Sequence, residues 1–539
     1  MNSSLLPVLA ACAAGLCAQD PPTTKVETLI TAQSIAGPLR FLSHDLLEGR
    51  GVGTRGDELA RVYLATQLQL FGLEPGGPDG AWEQPVPMVG ITSQVDGALR
   101  LSGQGGTLEL RAPDEFLAVA GDPNPEGRWA DAEVVFVGYG IHAPEQKWDD
   151  FKGVDVRGKV LLVLNNDPAG DPELFAGKTR LYYGRWTYKY EEAARRGAAG
   201  VLLIHTTPSA GYPFHVLQAR HGKEEPWLPF TKDEPTMPVR GWIVEEAAKR
   251  LCTLGGHDLD ALRARAEARE FAPVALNVRA GLRIANTVRE FRSANVIGRL
   301  PGADPTLGGQ AVVVTAHFDH LGVGQVKKGD GIYNGALDNA SGCAVALNLA
   351  RACAALPERP RRTLLFVFVT AEESGLLGSL WFARNPTVPV KDLIANFNLD
   401  SVNVWGPTED VQLVGHGKSD LTALVEQVAA RRGRRVEPDA QVDLGLFYRS
   451  DHFSLARVGV PSAYFKSGDR FLENREGRAR LKASYTTVHY HQPSDQYDPR
   501  MNLHGAAEDA RLVLECLVRC ANADAAPRWT PGDEFEKLR

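Results

Sequence analysis

The fold is decided by an apolar run that ends in polar side chains, AVVVTAHFDH at residues 311–320. Two later runs repeat the pattern, since residues 364–369 lead into Glu372 and Glu373, and residues 395–399 lead into Asp400. Helical patterns lie among these runs at 344–356, 421–430 and 506–518. Continuous apolar strands separated by helices indicate a buried sheet. The sequence therefore predicts an α/β fold, with a mostly parallel mixed sheet covered by helices on both faces.

The polar residues that follow these strands are of the kind that bind metal ions. In open α/β sheets, ligands bind beyond the carboxyl ends of the strands. Two loops add further candidates, GALDNASG at 335–342 and YHQPSD at 490–495. Histidine and carboxylate ligands without thiolates suit zinc. One catalytic zinc takes three protein ligands, so a set of five suffices for two ions if one carboxylate bridges them. The candidate ligands are His317, Asp338, Glu373, Asp400 and His491.

Several motifs occur together in a fixed order. They are AHFDH at 316–320, NGALDNASG at 334–342, TAEESGLLGS at 370–379, NLD at 398–400, RSDHF at 449–453 and YHQP at 490–493. In this combination the chain resembles the M28 family of zinc aminopeptidases and related exopeptidases, in the branch with a protease-associated (PA) insert. The segments LEGRG at 47–51, GYG at 138–140 and WDDF at 148–151 are also similar to that branch. The resemblance implies the zinc exopeptidase fold and two Zn²⁺ ions.

The resemblance also implies a role for each site residue. Asp338 would bridge the two zinc ions, with His317 and Asp400 completing one ion and Glu373 and His491 the other. Glu372 would be the general base.

Three further residues are expected to support the site. Asp319 would orient the His317 imidazole, and Asp451 would support the metal site from outside it. Tyr490 is a candidate donor to the oxyanion. The neighbouring His320, His452 and His489 are expected to be structural.

Two other sequence patterns suggest different functions but lack the context that those functions need. Ser450-Asp451-His452 cannot form a serine hydrolase relay, because consecutive side chains diverge and the chain has no GxSxG elbow. A GxGxxG match at 51–56 lacks the strand that precedes a dinucleotide site. A carboxypeptidase or dipeptidase of the same fold, a single-zinc glutaminyl cyclase-like enzyme and a metal-free binding protein remain alternatives to an aminopeptidase.

Length and composition bound the organisation of the chain. Its 539 residues predict two or three domains. The expected segments are a signal peptide at 1–18, an N-terminal part of the peptidase domain at 24–125, a β-rich PA-like insert at 126–284, the catalytic domain at 285–525 and a polar tail at 526–539. The net charge of −7 argues against nucleic acid as a partner. Peptide or protein termini are the expected substrates, and the oligomeric state stays open.

The N-terminus indicates export. Residues 5–16 are almost wholly apolar and too short to span a bilayer, which is typical of a signal peptide. The segment LAAC at 9–12 also resembles a lipoprotein box, so a lipid anchor on Cys12 is an alternative to release. No later run is long enough for a transmembrane segment. The five cysteines after the signal peptide contain no CxxC pair, so cysteine chemistry is not expected to carry the function.

Overall fold

The computed structural model describes residues 23–539, so the predicted signal peptide and Cys12 lie outside the described residues. Two layers of helices enclose a mixed sheet in the catalytic part of the chain. From one edge, the strands of this sheet are Arg435–Pro438, Asp410–Val414, Ser462–Ser467, Leu393–Leu399, Ala311–His317, Thr363–Val369 and Val274–Leu300. Neighbours pair in parallel except 410–414 with 462–467 and 363–369 with 274–300. The predicted mostly parallel mixed sheet is confirmed.

Alternate residues of the central strands face two separate cores. Val312 and Val314 belong to the larger core, whereas Ala311 and Val313 belong to the smaller one on the other face. The larger core is covered by Ala32–Leu42, Arg55–Leu70, Ser341–Ala354, Leu421–Arg431 and His504–Asn522. The smaller core is covered by Leu377–Arg384 and His452–Ala456. Because both faces are covered, every residue of the central strands 311–317, 363–369 and 393–399 is buried and most are apolar, which is why the sequence shows them as nearly continuous apolar runs.

A second unit with its own core, called the insert below, lies between the two predicted parts of the peptidase domain. Its strands are Leu99–Gly103, Gly106–Leu110, Phe116–Ala120, Glu126–Phe136, Val160–Leu164, Gly200–His205, Glu224–Trp227 and Val239–Val244. Its helices are Trp186–Arg195, Thr207–Ala210, His215–Gln218, Glu245–Leu254 and Leu259–Ala266. The main core of this unit includes residues from Ile91 to Ile284, so strands that precede position 126 pack within it. Its assignment as a PA domain stays a prediction.

One long strand, Val274–Leu300, joins the two units. Its start pairs with Glu126–Phe136 in the insert, and its end pairs with Thr363–Val369 in the catalytic sheet. Between these, it pairs antiparallel with Glu83–Val95 from Ile284↔Val95 to Val296↔Glu83. The insert is thus attached through continuous sheet, and cutting it out at 126 and 284 would divide the strand Val274–Leu300.

Several shorter elements complete the structure. The remaining strands and helix are Glu74–Pro75, His142–Ala143, Trp148–Asp149, Gly322–Lys327, Asp330–Tyr333 and Arg475–Val488. The C-terminal segment, polar in composition, is docked, because Trp529 and Phe535 are buried and Trp529 Nε1 donates to the Gly459 carbonyl at 2.9 Å. Within residues 23–539, no helix has the length and hydropathy needed to cross a bilayer. The five cysteines of this range are free and buried.

Candidate metal centre

The site is built at the carboxyl edge of the central parallel strands. His317 is the last residue of its strand and pairs in register with Val369, the last residue of the next strand. Glu372 and Glu373 follow Val369 in a turn, and Asp400 directly follows Leu399. Parallel strands end at the same edge of a sheet, so side chains distant in sequence meet there.

Asp338 lies between two histidines. Its Oδ1 is 3.3 Å from His317 Nε2, and its Oδ2 is 3.4 Å from His491 Nε2. Asp338 belongs to the turn Ala336–Ala340, which leads into the helix Ser341–Ala354. Each oxygen of one carboxylate therefore faces a different imidazole, as expected of a ligand shared by two ions.

Each histidine also faces a second carboxylate. His317 Nε2 is 3.6 Å from Asp400 Oδ1, and His491 Nε2 is 3.0 Å from Glu373 Oε2. With zinc–ligand bonds of about 2.0–2.1 Å, two ligand atoms of a tetrahedral ion lie about 3.3–3.4 Å apart. Both Nε2 atoms are buried and have no hydrogen-bond partner within residues 23–539. The spacing, the burial and the free nitrogen atoms fit two metal ions.

His320, which the sequence analysis interprets as structural, is part of this site. Its Nδ1 lies 2.7 Å from Glu373 Oε1, and it groups with Asp338 and Glu373 as a possible ligand set. His317, Asp338 and Asp400 form the other such set. The structure thus offers two imidazoles, those of His320 and His491, beside Glu373. The signal in the sequence was the position of His320, three residues after His317 in AHFDH.

Glu372 and Glu373 point to different histidines. Glu372 Oε2 lies 3.9 Å from His317 Nε2, whereas Glu373 approaches His491 and His320. Burial raises the pKa of the Glu372 carboxyl well above its ordinary value, the nearby His317 opposes this, and the carboxylates of Asp451 and Glu373 add to it. The carboxylates of these two adjacent residues therefore approach different histidines.

Asp319 acts on the backbone of the two glutamates. Its carboxylate accepts the N–H of Glu372 at 3.0 Å and the N–H of Glu373 at 3.3 Å. The His317 Nδ1 atom is 3.3 Å from the Asp319 carbonyl and 3.8 Å from its carboxylate. The imidazole is therefore nearer the main chain of Asp319 than its carboxylate, and the side chain fixes the Glu372–Glu373 turn.

Two buried charged residues that the sequence analysis did not assign hold the ligand loops. The Asp495 carboxylate accepts the N–H groups of Leu337 at 3.0 Å and Asp338 at 3.1 Å. The Arg50 guanidinium donates to the carbonyls of Phe318 at 2.5 Å, Asn334 at 2.7 Å and Gly335 at 3.0 Å, and to that of Leu42. Arg50 therefore ties the N-terminal segment to the loops after His317 and before Asp338. Both residues lie in motifs quoted above, but their partners are remote in sequence.

The site is dominated by carboxylates. Burial lowers the pKa of His317, but the charges of Glu372, Asp338 and Asp400 outweigh this and hold it well above its ordinary value. Burial alone raises the pKa of an acid, and it raises that of Asp319 to about 7. Anionic groups collected in a buried space require compensating positive charge.

The comparisons with known proteins agree with this geometry. The family model described as peptidase family M28 matches residues 295–516, a range that contains each of the ligand candidates and Glu372. Residues 295–516 belong to peptidase family M28.

A probable zinc metalloprotease of Pyricularia oryzae is 27% identical over 334 residues, which are 57% of this chain and 61% of that protein. Another, of Pyrenophora tritici-repentis, is 30% identical over 235 residues, 38% of this chain and 53% of that protein. The matches thus span less than two thirds of either relative.

A solved structure shows the same fold. An aminopeptidase from Aneurinibacillus sp. strain AM-1 superimposes on 92% of this chain and 95% of its own, with a TM-score of 0.53 and 21% identity. The similarity covers both the M28 region and the segments before it.

Two other residues from the sequence analysis, Tyr490 and Asp451, lie in or beside the M28 site. The Tyr490 ring stacks on His491, with centroids 3.9 Å apart, and packs against Tyr212 and Val216 of the insert. Asp451 is fully buried at the start of helix His452–Ala456, and burial raises its pKa to about 7.

Neither of the other two histidines interpreted as structural, His452 and His489, belongs to a possible ligand set within residues 23–539. His452 is buried between aromatic rings, with a pKa that burial lowers to about 3, and His489 contacts Ser494.

Proposed function

We propose that the chain is a two-zinc exopeptidase, most simply an aminopeptidase. The observation that carries this proposal is the position of Asp338, whose two oxygens face His317 and His491 at 3.3 and 3.4 Å. Asp400 would complete one ion, and Glu373 the other. His320 would hold the Glu373 carboxylate or replace His491 as a ligand. Zinc rather than magnesium suits this set, because imidazole nitrogen supplies part of it.

In this proposal, Glu372 would be the residue that moves protons. The ions would supply the Lewis acidity that polarises the scissile carbonyl and lowers the pKa of a water molecule. Glu372 would accept a proton from the attacking water and return it to the leaving amine. Its buried carboxyl beside His317 faces the pocket without being needed as a ligand. The Tyr490 hydroxyl, on the same pocket wall, would donate to the oxyanion.

The insert supports action on chain ends. A pocket of about 280 Å³ lies between the insert and the catalytic unit, and its wall includes Glu372, Glu373 and His491. Arg220 of the insert donates to the Glu373 carbonyl and, at 3.0 Å, to Ser374 Oγ. The insert therefore closes one side of the site, and a space of this size favours a peptide terminus over a folded loop.

A peptide panel with zinc analysis tests this proposal. Leu-Ala-Ala-NH₂ with a free amine should be cleaved, whereas its N-acetyl form should not, and the protein should hold two zinc ions per chain. The panel also includes Ac-Leu-Ala-Ala, whose amine is blocked and whose carboxyl terminus is free. If this peptide alone were cleaved, the protein would be a carboxypeptidase. One zinc ion and cyclisation of an N-terminal glutamine would assign a cyclase-like enzyme. Absence of both zinc and hydrolysis would leave a binding protein.

A further inference from the structure

The pocket beside the metal centre is rich in arginine. Its wall contains Arg185, Arg220, Arg240, Arg449 and Arg457. Arg240 is paired, because it lies 2.7 Å from Glu225, and Arg220 is held by Glu373 and Ser374. No ion pair is formed by Arg185, Arg449 or Arg457 with any acid in the described part of the chain. Arg185 is buried and Arg449 is half-buried, whereas Arg457 is exposed.

Arg185 is the most unusual of the three. It is only 8% exposed, and its Nε has no hydrogen-bond partner among residues 23–539. It directly precedes the helix Trp186–Arg195 of the insert, on the pocket wall. Burial, reinforced by the nearby charge of Arg449, lowers the pKa of this guanidinium to about 9. A buried charge without a counterion destabilises the fold, so its retention points to an anion that arrives from outside.

Arg449 faces the same space from the catalytic unit. Its guanidinium lies 5.2 Å from the centre of the Tyr212 ring and donates to the Ala210 carbonyl at 3.4 Å. The charge of Arg449 also opposes the burial that raises the pKa of the Tyr490 hydroxyl, and both residues line the pocket. Arg185 of the insert and Arg449 of the catalytic unit therefore face the same pocket, and their like charges repel each other.

The acids of the pocket are already engaged. Glu225 pairs with Arg240, and Glu191 accepts the Tyr182 hydroxyl at 2.7 Å. Glu372 and Glu373 face the histidines of the metal centre. With two zinc ions balancing the ligand carboxylates, the unpaired arginines would leave the rest of the pocket positive.

We infer that Arg185 and Arg449 together bind a carboxylate of the substrate, in the pocket beside the scissile bond. The inference rests on the proposed exopeptidase function and names the substrate class for that site. The carboxylate could be an acidic side chain or the free carboxyl terminus of a very short peptide. Guanidinium groups recognise carboxylates through paired hydrogen bonds, and a site built for such a group discriminates strongly against a neutral isostere.

Matched substrates separate the two sources. Glu-Leu-NH₂ and Gln-Leu-NH₂ differ only in the side-chain charge, whereas Leu-Leu and Leu-Leu-NH₂ differ in the terminal carboxylate. The zinc-loaded wild type should show a kcat/KM at least tenfold higher for the charged member of one pair. Arg185→Met and Arg449→Met should each reduce that preference about tenfold, with a larger loss of kcat/KM for the charged substrate than for the neutral one. Arg185→Lys should retain part of the preference for the charged substrate. Arg292→Met, at an exposed position, should leave that preference unchanged and serves as the control.

Binding measurements keep this inference separate from the proposed function. Titration calorimetry of Glu372→Gln, which should bind without hydrolysis, would compare the affinities of the same four peptides. Tighter binding of the charged peptide that is lost in Arg185→Met and Arg449→Met supports the inference even if no peptide is cleaved by the wild type. Equal affinity and equal kcat/KM within both pairs would overturn it while leaving the exopeptidase proposal intact. If one arginine variant does not fold, the other decides the outcome.

Discussion

The carboxylate of Asp338 presents one oxygen to His317 and the other to His491, at 3.3 and 3.4 Å. The two histidines are 174 positions apart in the chain and meet only because their loops converge at one edge of the sheet. If Asp338 is shared by two ions, its loss should affect both, whereas loss of an outer ligand should affect one.

Asp338→Asn tests this directly. Removing the shared anionic ligand should lower zinc occupancy at both positions, and Asp400→Asn should lower it at one only. Zinc per chain after gel filtration, measured by plasma mass spectrometry, gives both values. Glu358→Gln, a charge change at an exposed position, is the control. Loss of a single equivalent in Asp338→Asn would show that this residue serves one ion.

Substitution of each of the two adjacent glutamates should separate the loss of proton transfer from the loss of metal binding. Glu372→Gln keeps the shape of the side chain but cannot accept a proton, so kcat should fall about 10²- to 10⁴-fold with zinc retained. Glu373→Gln removes an anionic ligand and should lower zinc content as well as rate. Zinc content and kcat of both variants check this. The reverse pattern would exchange the two roles, and no effect in either variant would contradict the peptidase proposal.

Asp319 should act as a positioning residue. Asp319→Ala deprives the N–H groups of Glu372 and Glu373 of their acceptor, so the turn should loosen. We expect a 10- to 100-fold loss of zinc affinity, the usual scale for residues that hold metal ligands. Competition with a fluorescent chelator measures that affinity. Asp319→Asn retains one acceptor oxygen and should lose less, and equal losses in both variants would contradict a role through the backbone N–H groups.

Arg50 should matter for stability. Arg50→Met leaves the carbonyls of Leu42, Phe318, Asn334 and Gly335 without their buried donor, and each hydrogen bond to a charged group contributes about 1.5–3 kcal/mol. The apparent Tm in a calorimetric scan should fall by several degrees, and zinc affinity should weaken because two of these carbonyls flank the Asp338 loop. Arg40→Met, at an exposed position, is the control. An unchanged Tm would show that water replaces the guanidinium.

Removal of the metal should destabilise the catalytic unit. The ligand carboxylates and Glu372 would lose their counterions and repel one another in a buried space. Because ions that bind only the folded state stabilise it, the Tm after chelation should rise again with added zinc in a concentration-dependent way. Scanning calorimetry with a zinc titration measures this. A Tm that does not respond to zinc would contradict a buried metal centre.

Local sequence patterns were sufficient to predict the buried central strands of the sheet. The strands at 311–317, 363–369 and 393–399 were predicted to within a few residues, because a strand buried on both faces is mostly apolar along its length. The strand Val274–Leu300 was not predicted, since its exposure alternates along much of its length and most of its partners are more than a hundred residues away.

The sequence by itself determined the sheet class, the strand ends that carry the ligands and the similarity to family M28. The tertiary structure alone placed His320 against Glu373, set the Asp319 carboxylate on the Glu372–Glu373 backbone and brought Arg185 of the insert to the same pocket as Arg449. The physical reason is that residue type and periodicity reflect which side chains of a segment are buried and which are exposed to water. Contacts between loops from different units depend on how the whole chain packs, and no local pattern encodes them.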